Sequence, residues 1–166
     1  PDVVLASCGD TPNLEVIAAA KILKEYAPHV KTRVVNVIDL MRLQSNTTHP
    51  HGLTDSEFNK YFTKDKPVIF AFHGYPNLIH ELTYKRDNRE FHVHGYIEEG
   101  TITTPFDMRV QNKIDRFNLV IDALRYVEET EEVRLTRNLM IKKLKEHNMY
   151  IKEEGIDLEE IREFHL

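Results

Sequence analysis

The stretch Pro67-Val68-Ile69-Phe70-Ala71-Phe72 is hydrophobic at every position. A run this short and this unbroken reads as a strand that must be covered on both faces, because an exposed face would show alternation with polar residues. Val3-Val4-Leu5-Ala6-Ser7 has the same character, and Thr32 to Ile38 is rich in valine and isoleucine. Between the first two runs lies Cys8-Gly9-Asp10 as a turn, with Thr11 expected as the N-cap of a helix and Pro12 at its first position. That helix is expected to reach about Ala27, with Val16, Ala19, Leu23 and Tyr26 on one face and Pro28 as its stop.

The later segments keep the alternation. Thr54-Asp55-Ser56-Glu57 is a capping box opening a short helix whose apolar side is Phe58, Tyr61 and Phe62. A helix is expected from about Tyr75 to Lys85, then a shorter, more polar fourth strand from Phe91 to Gly95, a candidate antiparallel edge. Past Gly100 the pattern becomes helical. Ile114, Phe117, Ile121 and Leu124 mark one amphipathic stretch; Val133, Met140 and Leu144 mark another, begun by Thr130. Strands alternating with helices predict an α/β fold, a mainly parallel sheet with helices on both faces. Residues 1–166 read as a single domain, with 1–105 the sheet region and 106–166 mostly helical. From Glu128 onward eleven acidic and seven basic residues require that much of this tail face solvent.

Composition narrows the function. The net charge of −5 argues against nucleic acid as the main partner, which needs clustered positive charge. No apolar run approaches the roughly 20 residues of a membrane span. A single cysteine, Cys8, fits a reducing, cytoplasmic setting. The chain opens on Pro1-Asp2 and passes directly into a core strand, and the expectation is a domain cut from a larger enzyme at an interdomain linker.

No complete catalytic constellation emerges. The turn after the first strand carries one glycine, no lysine and the negative charge of Asp10, which is poor chemistry for a phosphate cradle. Cys8 lies where a nucleophile would suit such a sheet, but no Cys–His signature accompanies it. His49 and His51, like His92 and His94, are spaced to share one face of a strand, without a recognisable third metal ligand. The densest polar segment runs from His94 to Arg109, with Glu98, Glu99, Thr101, Thr103, Thr104, Phe106 and Asp107 within it. A long connection of this kind in a compact domain is expected to be functional or packed against something else. Phe72-His73-Gly74-Tyr75-Pro76 also follows a strand end and is expected to line the same surface.

Several longer stretches carry a family likeness. Asp2-Val-Val-Leu-Ala-Ser-Cys-Gly-Asp-Thr-Pro, Val34-Val-Asn-Val-Ile-Asp-Leu-Met and His49-Pro-His-Gly-Leu come first. Lys66-Pro-Val-Ile-Phe-Ala-Phe-His-Gly-Tyr, His92-Val-His-Gly-Tyr and Glu98-Glu-Gly-Thr-Ile-Thr-Thr-Pro-Phe-Asp-Met-Arg-Val follow in order, and His147-Asn-Met-Tyr-Ile closes the series. In these the chain resembles the C-terminal domain of the phosphoketolases. The resemblance implies a three-layer domain with a mixed sheet of about five strands, like the transketolase C-terminal domain. It implies that the full enzyme cleaves xylulose 5-phosphate or fructose 6-phosphate with inorganic phosphate to acetyl phosphate, an aldose phosphate and water. Thiamine diphosphate and a divalent metal (magnesium or calcium) would be held by the N-terminal and middle domains of a homodimer, with the family's catalytic residues upstream of this segment. This domain is then expected to hold no catalytic, cofactor-binding or metal-binding residue and to be inactive alone.

Three roles stay open. In the first, the domain serves assembly, packing on the cofactor-binding domains through an interface drawn from His73, Tyr75, His94, Glu98, Glu99, Thr101, Thr103, Thr104, Phe106, Asp107 and Arg109. In the second, it is a regulatory module binding a small anion or nucleotide through Arg86, Arg89, His73 or His94. In the third, it is an autonomous hydrolase or metal enzyme using Cys8 or the paired histidines.

Overall fold

A computed structural model describes residues 1–97, 100 and 102–164. Four strands form one sheet: β1 (Val3–Cys8), β2 (Thr32–Asn36), β3 (Val68–Phe72) and β4 (Phe91–Gly95). Their order is β2-β1-β3-β4 and every neighbouring pair is parallel. Every residue of β3 is buried, as its unbroken hydrophobicity requires.

Two expectations are corrected here. The sheet of the described residues has four strands rather than about five, and it is parallel rather than mixed. β4 runs parallel because α3 (Pro76–Thr83) carries the chain back across the sheet before β4 begins. The polarity of β4 has another cause than an antiparallel edge. Its His92 and His94 face Tyr126 and Asp122, next to the end of α5 (Arg116–Ala123), rather than an apolar layer.

Side chains alternate across the sheet, so successive residues of one strand enter different cores. Val3, Leu5, Ile69 and Ala71 join Val16, Ala19 and Leu23 of α1 (Asp10–Tyr26), Leu119 and Val120 of α5, and Met140 of α6 (Glu131–Glu154). Val4, Ala6, Val68 and Phe70 join Phe58 and Phe62 of α2 (Asp55–Phe62), and Ile79 and Leu82 of α3. Helices therefore cover both faces. Three further helical elements complete the chain: a 3₁₀ turn at Leu40–Leu43, α4 (Pro105–Gln111) and α7 (Glu159–Arg162).

Local rules account for most boundaries. The Thr54–Glu57 capping box is present in both directions, and Thr130 accepts from the Val133 N–H to start α6. Gly155, at φ 69°, ends α6 in the left-handed conformation that glycine tolerates. Gly9 rather than Thr11 occupies the N-cap of α1, so this helix starts two residues earlier than the threonine suggested. Ile114 falls in the turn between α4 and α5 rather than on a single long helix. β2 stops at Asn36, which leaves Ile38 outside the ladder and 90% exposed.

Candidate functional site

From β1 the chain steps to β2 on one side, then crosses back to β3 on the other. The reversal between β1 and β3 is the place where open α/β sheets form ligand or partner sites, beyond the carboxyl ends of the strands. Gly9 lies at this point with φ 105° and ψ 152°, and a Cβ there would stand 2.6 Å from the Cβ of His73. The His73 N–H donates to Cys8 O at 3.0 Å, tying the two turns together. The His73 ring rests 4.9 Å from that of Tyr96, just past the end of β4. Ser7 donates its hydroxyl to Asn13 Oδ1 at 3.0 Å beneath the turn. Burial pushes the Cys8 thiol above its ordinary pKa, which disfavours the thiolate a nucleophile needs.

All four strands are parallel, so all four carboxyl ends share one rim. Ile38 follows β2, Tyr75 follows β3, and Ile97 follows β4; they are 90%, 58% and 55% exposed. Tyr75 also stands at the N-cap of α3. Sequence reasoning placed Tyr75 on this surface but missed Ile38 and Ile97. Their signal was available: a β-branched apolar residue beyond a strand end, inside a polar connection.

The remaining expected interface residues are for the most part bonded within the domain. Phe106 is 1% exposed, packed at the start of α4 against Phe117 and His147. Thr103 donates to Asp107 Oδ2 at 2.6 Å. Thr104 caps α4 and donates to Asp157 Oδ1 at 2.5 Å, while the Phe106 N–H donates to Asp157 Oδ2 at 3.1 Å. Arg109 donates to Glu15 Oε1 at 2.7 Å. These side chains thus fasten the connection to its own domain. His94 Nε2 stands 2.5 Å from Asp122 Oδ2, with Arg125 at 2.9 Å from the other oxygen. Burial raises the Asp122 carboxyl, but the bond from His94 and the charges of His94, Arg125 and Lys113 outweigh it, so its pKa is lowered. Glu98, Glu99 and Thr101 lie outside the described residues.

Two buried polar centres, Glu15 and His147, were not anticipated from the sequence, and a third, Arg86, was expected only as an anion-binding candidate. Glu15, fully buried, receives Nε and Nη2 of Arg116 at 2.9 and 3.0 Å, the Arg116 N–H at 2.9 Å, and Arg109. Its signal was an acid inside the apolar stripe of α1, between Pro12, Val16 and Ala19. Arg86, 2% exposed, donates to Leu43 O, Gln44 O, Leu53 O and Asp55 Oδ1, and lies over the Phe58 ring. It clamps both ends of the polar connection that holds His49 and His51, with four of the five N–H donors of its guanidinium taken up in doing so. The Arg89 guanidinium bonds the Tyr84 carbonyl. His147, fully buried on α6, sets Nε2 3.2 Å from Asp107 Oδ1.

His51 pairs with Asp39 at 3.1 Å and His92 approaches Tyr126 Oη at 3.1 Å. Among the described residues, no group of three or more histidine, cysteine or acidic side chains is placed to hold a metal ion. Nor is any described helix long and apolar enough to cross a membrane.

Comparison with known proteins decides the family. The model described as the XFP C-terminal domain matches residues 1–166. The chain belongs to the XFP C-terminal domain family. It is 60% identical over 163 residues to a probable phosphoketolase of Clostridium acetobutylicum, covering 97% of this chain and 20% of that protein. A probable phosphoketolase of Rhodopirellula baltica is 57% identical over 166 residues, with 99% and 21% covered, and one of Gloeobacter violaceus is 53% identical over 169, with 99% and 21% covered. The chain thus spans about a fifth of the length of these relatives, and it is a phosphoketolase C-terminal domain by sequence over nearly its whole extent.

Proposed function

We propose that this XFP C-terminal domain serves assembly in a cytoplasmic, homodimeric phosphoketolase, docking the rest of that enzyme on the rim at the carboxyl ends of its strands. The full enzyme would cleave xylulose 5-phosphate or fructose 6-phosphate with inorganic phosphate to acetyl phosphate, an aldose phosphate and water, as a carbon–carbon lyase. The observation that carries the reading is the rim itself: Ile38, Tyr75 and Ile97 are exposed just beyond the strand ends, while polar side chains of the following connection are bonded within the domain. Exposed apolar groups gathered on one edge mark a contact surface. The occupant is the remainder of the enzyme, since about four fifths of the relatives' length lies outside this chain.

The described residues do not fit a thiamine diphosphate site. No three potential ligands converge on a metal position, and Asp10 brings negative charge to the first turn of α1, where a diphosphate would need N–H donors. The cofactor and its magnesium or calcium ion would be held by the N-terminal and middle domains. Residues 1–166 supply no electron sink, and the isolated domain is expected to form no acetyl phosphate.

The test is an Ile38→Asp, Ile97→Asp double variant in the full-length enzyme. Both side chains are exposed in the domain, so its own unfolding midpoint should hold. The full-length variant should lose its dimer mass by light scattering, together with acetyl phosphate formation. A variant with unchanged mass and activity would reject the docking rim.

A further inference from the structure

The last strand of an open sheet presents a row of unpaired N–H and C=O groups, which is a template for another strand. β2 is such an edge. It neighbours β1 on one side, and no described strand lies beyond it on the other. It packs against β1 and α1, and no described backbone group outside β1 bonds to its five residues. The usual guards of an edge are lysine, proline or a bulge. Thr32-Arg33-Val34-Val35-Asn36 has no lysine or proline, and its register with β1 is unbroken. Its one charge, Arg33, is turned back onto the carbonyls of Lys60 and Tyr61 at 2.7 and 3.2 Å. The opposite edge is more polar: β4 carries His92 beside Glu90 and His94 on Asp122.

The exposure of Val34 sets this edge apart. Val34 lies opposite Leu5, whose side chain is fully buried in the core under α1, yet Val34 itself is 43% exposed. An exposed tyrosine stands on each face of the sheet beside the strand. Tyr26 ends α1, the helix that packs on β2, and is 42% exposed. Tyr61, whose carbonyl receives Arg33, lies on α2 over the other face and is 47% exposed. Tyrosine is enriched in the contact surfaces of proteins, and here two of them flank a strand that lacks a neighbour.

We propose that β2 pairs antiparallel with β2 of a second copy of this chain, about a two-fold axis at Val34, joining two four-stranded sheets into one of eight strands. The strand is complementary to itself. About Val34 all five residues find a partner: Val34 faces Val34 of the second copy, Arg33 faces its Val35, and Thr32 faces its Asn36. No two charges meet, two exposed valines cover each other, and the polar pairs fall at the ends of the ladder, within hydrogen-bonding reach. Because the same patch is used on both copies, the contact closes as a dimer and does not propagate. This names a contact between copies, apart from the docking rim at the carboxyl ends of the strands.

The experiment is a Val34→Cys variant of the full-length enzyme, oxidised and run on a denaturing gel without reductant, with the wild type as background. Directly opposed residues of antiparallel strands have Cα atoms about 4.5–5.5 Å apart, within the span of a disulfide. The variant should yield a linked dimer roughly tenfold above Tyr84→Cys, an exposed position at the end of α3. Val34 is half exposed and cysteine is smaller, so the fold should hold, and unfolding curves would verify that. No linked dimer overturns the pairing, and so does equal linkage at Tyr84, which marks random collision. Amides of β2 protected from hydrogen exchange without a link would put another stretch of the enzyme on this edge, and the second-copy assignment falls. A dimer mass without the link leaves the homodimeric reading standing and removes β2 from it.

Discussion

Glu15 is the residue on which the helical side of the domain turns. A carboxylate fully out of solvent is tolerable only because two guanidiniums reach it, one of them with two nitrogens. Breaking such a set by removing one member leaves uncompensated charge. Glu15→Ala should therefore destabilise the domain by about 3–5 kcal/mol, read from urea unfolding, and Arg116→Met added to it should recover part of that loss. Asp115, next to this cluster, behaves differently. Burial raises its carboxyl pKa above the ordinary 3.8, although bonds from Asn118 and Phe117 work against the shift. A carboxyl with a raised folded pKa binds its proton more tightly when folded, so its contribution favours folding at low pH. That contribution fades as pH climbs from about 3.8 through the folded value. Asp115→Asn keeps an oxygen to cap α5 and removes the ionisation. Its unfolding midpoint relative to wild type should rise between pH 4 and pH 8; a pH-independent difference would count against a raised Asp115.

At the level of elements, the β1–α1 turn is a tight joint. Gly9 holds a backbone conformation open almost only to glycine, and His73 occupies the space a side chain would need. Gly9→Ala should cost about 3 kcal/mol from backbone strain and overlap together. Gly155→Ala, also at positive φ but with open space around it, should cost about 1 kcal/mol; equal losses in urea unfolding would remove His73 from the explanation. Elements of this kind were legible in the sequence to the extent that local chemistry decides them. The unbroken β3 run, the Thr54–Glu57 box and the Thr130 cap each act within a few residues, and each appears where expected. The direction of β4 was not legible, because alternating polarity reports what faces a strand and not which way it runs. The same limit applied to the site. Thr104, Phe106 and Arg109 were singled out as a polar segment that must contact something, and their partners Asp157 and Glu15 lie 53 and 94 residues away. Nothing local reveals whether such a partner is in the same domain or another.

The whole molecule is a sheet whose two faces are closed by different parts of the chain. One face is covered by α2 and α3, which are inserted between consecutive strands. The other needs α1 from the start and α4 to α6 from beyond the last strand, joined through Glu15. The consequence concerns the order of synthesis. Arg116 leaves the ribosome 101 residues after Glu15, which at ordinary elongation rates is a delay of roughly 5–20 s. For most of it, α1 cannot bury its acid against the sheet, because Arg109, the earlier of its two partners, follows Glu15 by 94 residues. The nascent chain must carry an open apolar face during that time, within reach of chaperones and proteases, and only the last helices close it.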